Sequence, residues 1–169
     1  MLVFLKYDIF KSISKNLLLG LLAHLVMQVK IKRFDKSLPL PQYKTAGAVA
    51  FDLCARLSAT IEPKTVVHVP LNVALEPPEG YMLLLAARSS LHKKGLMLAN
   101  GVGIGDRDFA GDDDEYHAAL YNFSDKPVTI ERGERLVQAM FKAYATAEWD
   151  EVDELKNPTR GKFGTTGFI

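Results

Sequence analysis

The sequence predicts an all-β domain, a barrel or jelly roll, and two observations carry that expectation. Apolar runs are short and rich in β-branched and aromatic residues, as in TVVHVPLNVALEPPEG, YMLLLAA, HAALYNF, VTI and RLVQAMFKAYA. Turn formers break them at close intervals: Pro70, the run Pro77-Pro78-Glu79-Gly80, the turn Ser124-Asp125-Lys126-Pro127, and Arg132-Gly133. Helical periodicity is scarce, and strands at such spacing are those of barrels and sandwiches. With 169 residues, 48% hydrophobic and 24% charged, the chain suits one globular domain with a real core. No internal repeat or low-complexity block interrupts it.

In chain order, residues 1–26 read unlike the rest, ending in the apolar run LLLGLLAHLVM from Leu17 to Met27. Such a run is too short to span a bilayer, and no small-x-small cleavage site follows it. From Met27 the segment MQVKIKRF alternates Val29 and Ile31 with Lys30 and Lys32, as a half-buried strand does. Met27 is therefore the expected start, and residues 1–26 are read as an N-terminal extension or a mis-assigned leader. A loop, LPLPQYKTAG, then leads into AVAFDLCA, Ala48 to Ala55, a strand with Asp52 as its polar residue.

The most chemically loaded stretch is Ala87 to Asp112, ARSSLHKKGLMLANGVGIGDRDFAGD. Arg88 offers a planar fork suited to phosphate oxygens, and Ser89 and Ser90 can cap a helical turn while donating to the same anion. From Asn100 onward, small and charged residues alternate as in a tight hairpin, with Asp106 and Asp108 expected on one face. A phosphate cradle opposite a carboxylate is what water-driven cleavage of a phosphoanhydride requires. Asp112-Asp113-Asp114 lacks the glycine and terminal glutamate of a calcium loop and reads as a solvated turn.

Two further stretches belong to the same picture. In ERGERLVQ, Glu131 to Gln138, a glycine turn precedes a strand carrying a glutamine. The segment TRGKFGTTGF, Thr159 to Phe168, has no core-forming pattern and suits a flexible glycine-rich arm whose amides and Arg160 wrap a triphosphate while Phe163 stacks on a base.

Net charge is +1, from 21 basic and 20 acidic residues, which leaves no footprint for nucleic acid or an anionic membrane and favours a small-molecule ligand. The lone Cys54 cannot form an intramolecular disulfide and fits a reducing compartment. The histidines, His24, His68, His92 and His117, lack zinc-ligand spacing.

Taken in order, AVAFDLCA, the ARSS segment, the Asn100–Gly111 stretch, ERGERLVQ and the terminal arm resemble the motifs of the trimeric dUTPase family, over about Met27 to Gly167. The resemblance implies an all-β dUTPase-like barrel or jelly roll, with residues 27–157 as the β domain and 158–169 as an active-site arm. It implies Mg-assisted hydrolysis of dUTP to dUMP and pyrophosphate by a cytoplasmic homotrimer with shared sites. Arg88, Ser89 and Ser90 are then expected at the phosphates, and Asn100 and the backbone at Gly103 at the uracil edge. Asp106 orients the hydrolytic water, Gln138 helps hold that water or a phosphate oxygen, and Phe109 replaces the tyrosine that packs on the deoxyribose. Arg160, Phe163 and Gly164 close over the substrate. Mg²⁺ rides on substrate phosphates and waters, with Asp52 as an assisting carboxylate and no direct protein ligand.

The chain departs from the family pattern at Lys162 and Gly105, where glycine and isoleucine are common, and at Ala110, where a larger residue often sits. Ala50 and Phe51 also replace the usual glycine and tyrosine of the first motif. Gly105 is expected to loosen the backbone just before the catalytic carboxylate. Two alternatives stand beside this reading. A dCTP deaminase of the same fold needs a glutamate on the strand after the hairpin, which HAALYNF lacks, and the other is a catalytically weak nucleotide-sensing module.

Overall fold

The computed structural model describes residues 27–159. Its strands are β1 (Lys30–Arg33), β2 (Phe51–Cys54), β3 (Ala59–Ile61), β4 (Val66–Pro70), β5 (Val73–Glu76), β6 (Tyr81–Ala87), β7 (Leu96–Leu98), β8 (Gly103–Gly105), β9 (His117–Asn122), β10 (Val128–Ile130) and β11 (Arg135–Ala143), with one 3-10 turn at Leu91–Lys94. All pair antiparallel, in a four-stranded sheet β2-β11-β6-β8, a three-stranded sheet β4-β9-β7, and the ribbons β1-β5 and β3-β10. The all-β expectation holds, and YMLLLAA and VTI coincide with β6 and β10.

Leu53, Leu83, Leu85, Leu96, Leu120 and Val137 belong to one buried cluster shared by the two larger sheets. Each fully buried aliphatic side chain contributes about 1.5–3 kcal/mol relative to exposure. A register shift between Arg135 and Val137 inserts one extra residue into β11 against β2, so Leu136 and Val137 both bury. Arg135 and Gln138, three apart, thereby regain the same side of the sheet. Beside the 3-10 turn, Gly95 takes φ +79°, and a Cβ there would lie 2.8 Å from Ser124 Cβ, so both conformation and space require glycine.

The first strand departs from the expected half-buried pattern. Lys30, Ile31 and Lys32 are all exposed, because among the described residues β1 pairs with β5 alone, in a two-stranded ribbon. Among the described residues no strand follows β11, and Trp149 and Leu155 are 90% and 82% exposed. No helix among the described residues is long and apolar enough to cross a membrane.

Candidate active site

The register of the four-stranded sheet gathers the first half of the site. Gln138 lies opposite Asp52 on one side and Ala86 on the other, and side chains alternate along a strand, so Asp52, Gln138 and Arg88 share the outer face. Asp52 sits between two guanidinium groups: Oδ1 is 2.9 Å from Arg88 Nε and Oδ2 is 2.7 Å from Arg135 Nη1. Arg88 also donates to the Arg135 carbonyl at 3.3 Å, and Gln138 Nε2 donates to the Ala87 carbonyl at 3.2 Å. With one carboxylate between two arginines, the cluster keeps a net positive charge. It borders a hollow of about 500 Å³ lined by Arg88, Ser90, Lys93, Lys94 and Arg135, together with Glu134, which pairs with Lys94; the excess of cations suits a polyphosphate.

Ser89 and Ser90 stand at the start of the 3-10 turn with exposed side chains. The expected cap is not formed: Ser90 holds φ −92° and ψ −10°, a helical rather than extended conformation, and its hydroxyl makes no capping bond. Both hydroxyls are thus free for a ligand.

The second half lies between the two larger sheets. A hollow of about 340 Å³ is bounded by Asn100, Gly103, Asp106, Phe109, Tyr116 and the walls Leu85, Leu98 and Val137. The expected tight hairpin is instead a corner. β7 pairs with β9 and β8 with β6, so residues 99–102 carry the chain from one sheet to the other. Gly101 takes φ +71° there. β8 ends at Gly105, and Asp106 to Phe109 form a turn in which the Phe109 amide bonds the Asp106 carbonyl at 3.3 Å. Asp106 and Asp108 are therefore beyond the alternating segment, yet both border an adjoining hollow beside Met82 and Tyr144. Phe109 is 39% exposed and meets Tyr116 edge to face, with ring centroids 5.2 Å apart.

Gly105 does not loosen this turn. It is buried and paired with Leu83, and the Tyr116 ring occupies the space where its side chain would be. Burial, followed by the charges of Asp106 and Asp114, pushes the Tyr116 phenol up to about 12.

Sequence reasoning missed Tyr116, Arg135 and Glu115. Glu115 lines the hollow just ahead of β9, where a deaminase would want a carboxylate. Its oxygens are committed, however, to Arg56 at 2.8 and 2.7 Å and to the Asn72 amide at 2.8 Å. It serves as a structural ion pair, with both oxygens accepting from Arg56 and one of them also from the Asn72 backbone. Arg160, Phe163 and Gly164, expected at the substrate, lie outside the described residues, as does Lys162.

The two halves do not meet within one chain. Arg88, Asp52 and Gln138 face outward, whereas Leu85 and Val137, which wall the nucleoside-sized hollow, face the core. They are also offset along β6: Gly105 pairs with Leu83, five residues before Arg88, which is roughly 17 Å of strand.

An arginine cluster for phosphates and a separate hollow for a nucleoside, on an antiparallel β scaffold, define a nucleotide-binding protein. The family model described as dUTPase matches residues 36–167. The deoxyuridine 5'-triphosphate nucleotidohydrolase of Dictyoglomus turgidum is 36% identical over 150 residues, covering 85% of this chain and 100% of that protein. The enzyme of the same name from Desulfitobacterium hafniense is 40% identical over 149 residues, covering 83% and 97%. Among solved structures, the dUTPase from Streptococcus mutans superposes with a TM-score of 0.64 at 31% identity, covering 70% of this chain and 98% of that one. The Staphylococcus bacteriophage 80alpha dUTPase with dUPNHPP, at 21% identity, shares the fold with a TM-score of 0.74 over 84% of this chain and 99% of its own. The chain belongs to the dUTPase family.

Proposed function

We propose that the chain hydrolyses dUTP to dUMP and pyrophosphate at sites built jointly by the subunits of a homotrimer. The observation that carries the shared site is the separation of the two half-sites on opposite faces of one sheet. A water held by Asp106 must attack the α-phosphorus while arginines hold the other phosphates, and within one chain the sheet stands between these groups. A second subunit presenting its Arg88 cluster to the first subunit's hollow resolves this. The exposed Trp149, Val152 and Leu155 along the departing segment support the same assembly, because apolar side chains at such exposure want a partner.

In this site Arg88 and the hydroxyls of Ser89 and Ser90 grip the triphosphate. Asn100 and the backbone near Gly103 read the uracil edge, and the Phe109 ring packs on the deoxyribose. Asp106 takes a proton as water attacks; the bond between the α-phosphorus and the bridging oxygen breaks and pyrophosphate leaves. Gln138, oriented by its bond to the Ala87 carbonyl, keeps its Oε1 available as an acceptor for that water. Arg160, Phe163 and Gly164 of the arm close the site and exclude bulk solvent.

Both Asp52 oxygens are engaged by arginines. The residues present therefore fit an Mg²⁺ ion carried by the triphosphate and its waters, which would screen phosphate charge, rather than one ligated by the protein.

Pyrophosphate release from dUTP, dCTP and dTTP, with and without EDTA, tests the reading. Release from dUTP alone, abolished by EDTA, is expected. Ammonia from dCTP would replace hydrolysis with deamination, and nucleotide binding without turnover would leave a sensing module.

A further inference from the structure

Tyr116 is only 6% exposed, and among the described residues its hydroxyl is the one buried side-chain polar atom without a hydrogen-bond partner. A buried donor left unpaired is costly, and in a native protein it points to a use that the resting state does not show. The ring lies against Gly105 so closely that a Cβ there would be 2.7 Å from Cε1 and 2.9 Å from Cζ, with the hydroxyl nearer still. No φ in the left-handed range explains the glycine; the Tyr116 ring does. The next residue along is Asp106, exposed and bordering the same hollow, so its side chain is free to turn. Other titratable or charged groups nearby are His117, in the same hollow with its Nδ1 at the Glu115 carbonyl, Glu76, Arg107 and Asp108 in the adjoining hollow, Asp114 on the following turn, and Glu115, already paired with Arg56.

We propose that Tyr116 is a positioning residue for Asp106: when that carboxylate turns inward over bound nucleotide, the phenol donates to one oxygen and leaves the other for the attacking water. Gly105 is the residue that makes room for this donor, which reaches the carboxylate from beneath the turn. An ionised carboxylate is acceptor-only and a protonated phenol is a good donor, so the pair is chemically matched. The phenol's high pKa keeps it a donor throughout the range in which the carboxylate is ionised.

This inference rests on Asp106 being the base, and the test separates the two claims. Asp106→Asn without loss of turnover would remove the base itself. With that variant inactive, Tyr116→Phe isolates the donor, since it deletes one oxygen and keeps the ring. The expected result is a kcat lower by about ten- to a hundredfold, the effect of one hydrogen bond to a charged acceptor, with KM for dUTP within about twofold. The acidic limb of the kcat–pH profile should also move to higher pH, because the charged carboxylate loses a donor that favours it. A thermal melt should show no loss of stability. An unchanged kcat and pH profile would overturn the proposal. So would a loss confined to KM, which would place the phenol on substrate, or a lowered melting temperature, which would mean the hydroxyl already has a partner in the free protein.

Discussion

At the Arg88 end of β6 the protein supplies its own counter-charge, with Asp52 held by Arg88 and Arg135 and Gln138 fixed to a backbone carbonyl. At the other end, opposite Gly105, Asp106 stands exposed at the rim of a hollow, and the buried donor beneath it is unpaired. One half-site is built before substrate arrives, and the other is left to be completed. The difference follows from charge. Two arginines on one face would repel each other without a carboxylate between them, whereas an exposed aspartate at a turn is stable in water and can wait. Binding energy should therefore come mainly from the first region, and the rate of the chemical step from the second.

The largest expected effect separates those roles. Asp106→Asn should retain binding of a non-hydrolysable dUTP analogue and lose about 10²–10⁴-fold in kcat, because an amide keeps size and a hydrogen bond but cannot accept the proton. Calorimetric titration beside a pyrophosphate assay reads both. Near-normal turnover would make Asp108, on the same adjoining hollow, the next candidate.

Next comes the test of sharing. Deleting everything after Asn157 should leave a trimer by light scattering, since the strands that pack it remain, and lower turnover by about 10²-fold through loss of closure. Mixing that truncated chain with Asp106→Asn subunits should restore some activity, because an intact turn from one chain can then meet an intact arm from another. A monomer, or mixed assemblies without recovery, would confine the site to one subunit.

A smaller effect is expected at Phe109. Its ring, braced by Tyr116, is proposed to pack on the deoxyribose and leave no room for a 2'-hydroxyl, so Phe109→Ala should narrow the preference for dUTP over UTP by about tenfold. Comparing kcat/KM for the two substrates measures this. Unchanged discrimination would shift it to the backbone around Gly103.

What the sequence made legible was local. The limits of β6 and β10 could be read because prolines, glycines and charged turns bound runs of β-forming residues, and Arg88 and Asp106 stood out by residue type. What stayed hidden depended on partners distant in the chain. The extra residue in β11 that returns Arg135 and Gln138 to one side is invisible without β2. The passage of residues 99–102 between sheets looked like a hairpin because small residues suit either. Gly105 read as a weak point, since nothing local announces that a tyrosine eleven positions on would fill its space. Ser90 looked like a cap because its residue type is right, although its backbone conformation is not.

That same tyrosine yields an effect on stability rather than on rate, and the cleanest sign. A free phenol titrates near 10, and in the folded protein Tyr116 is pushed up to about 12 by burial and then by Asp106 and Asp114. Between those values the folded chain still holds a proton that the unfolded chain has released, so stability falls as pH rises. The contribution is fully present below about pH 10 and is lost as pH passes through 12, a change on the order of 2–3 kcal/mol. Other groups titrate in that range, including lysines, but they are common to the parent and to Tyr116→Phe. The difference between the two therefore isolates one hydroxyl. Urea midpoints at pH 9 and pH 11.5 should fall further in the parent than in the variant. Near neutral pH the variant should be as stable as the parent or slightly more so, because it no longer buries an unpaired polar atom. Parallel losses in both proteins would mean that the phenol ionises freely and that the space beneath Gly105 is wetter than its burial indicates.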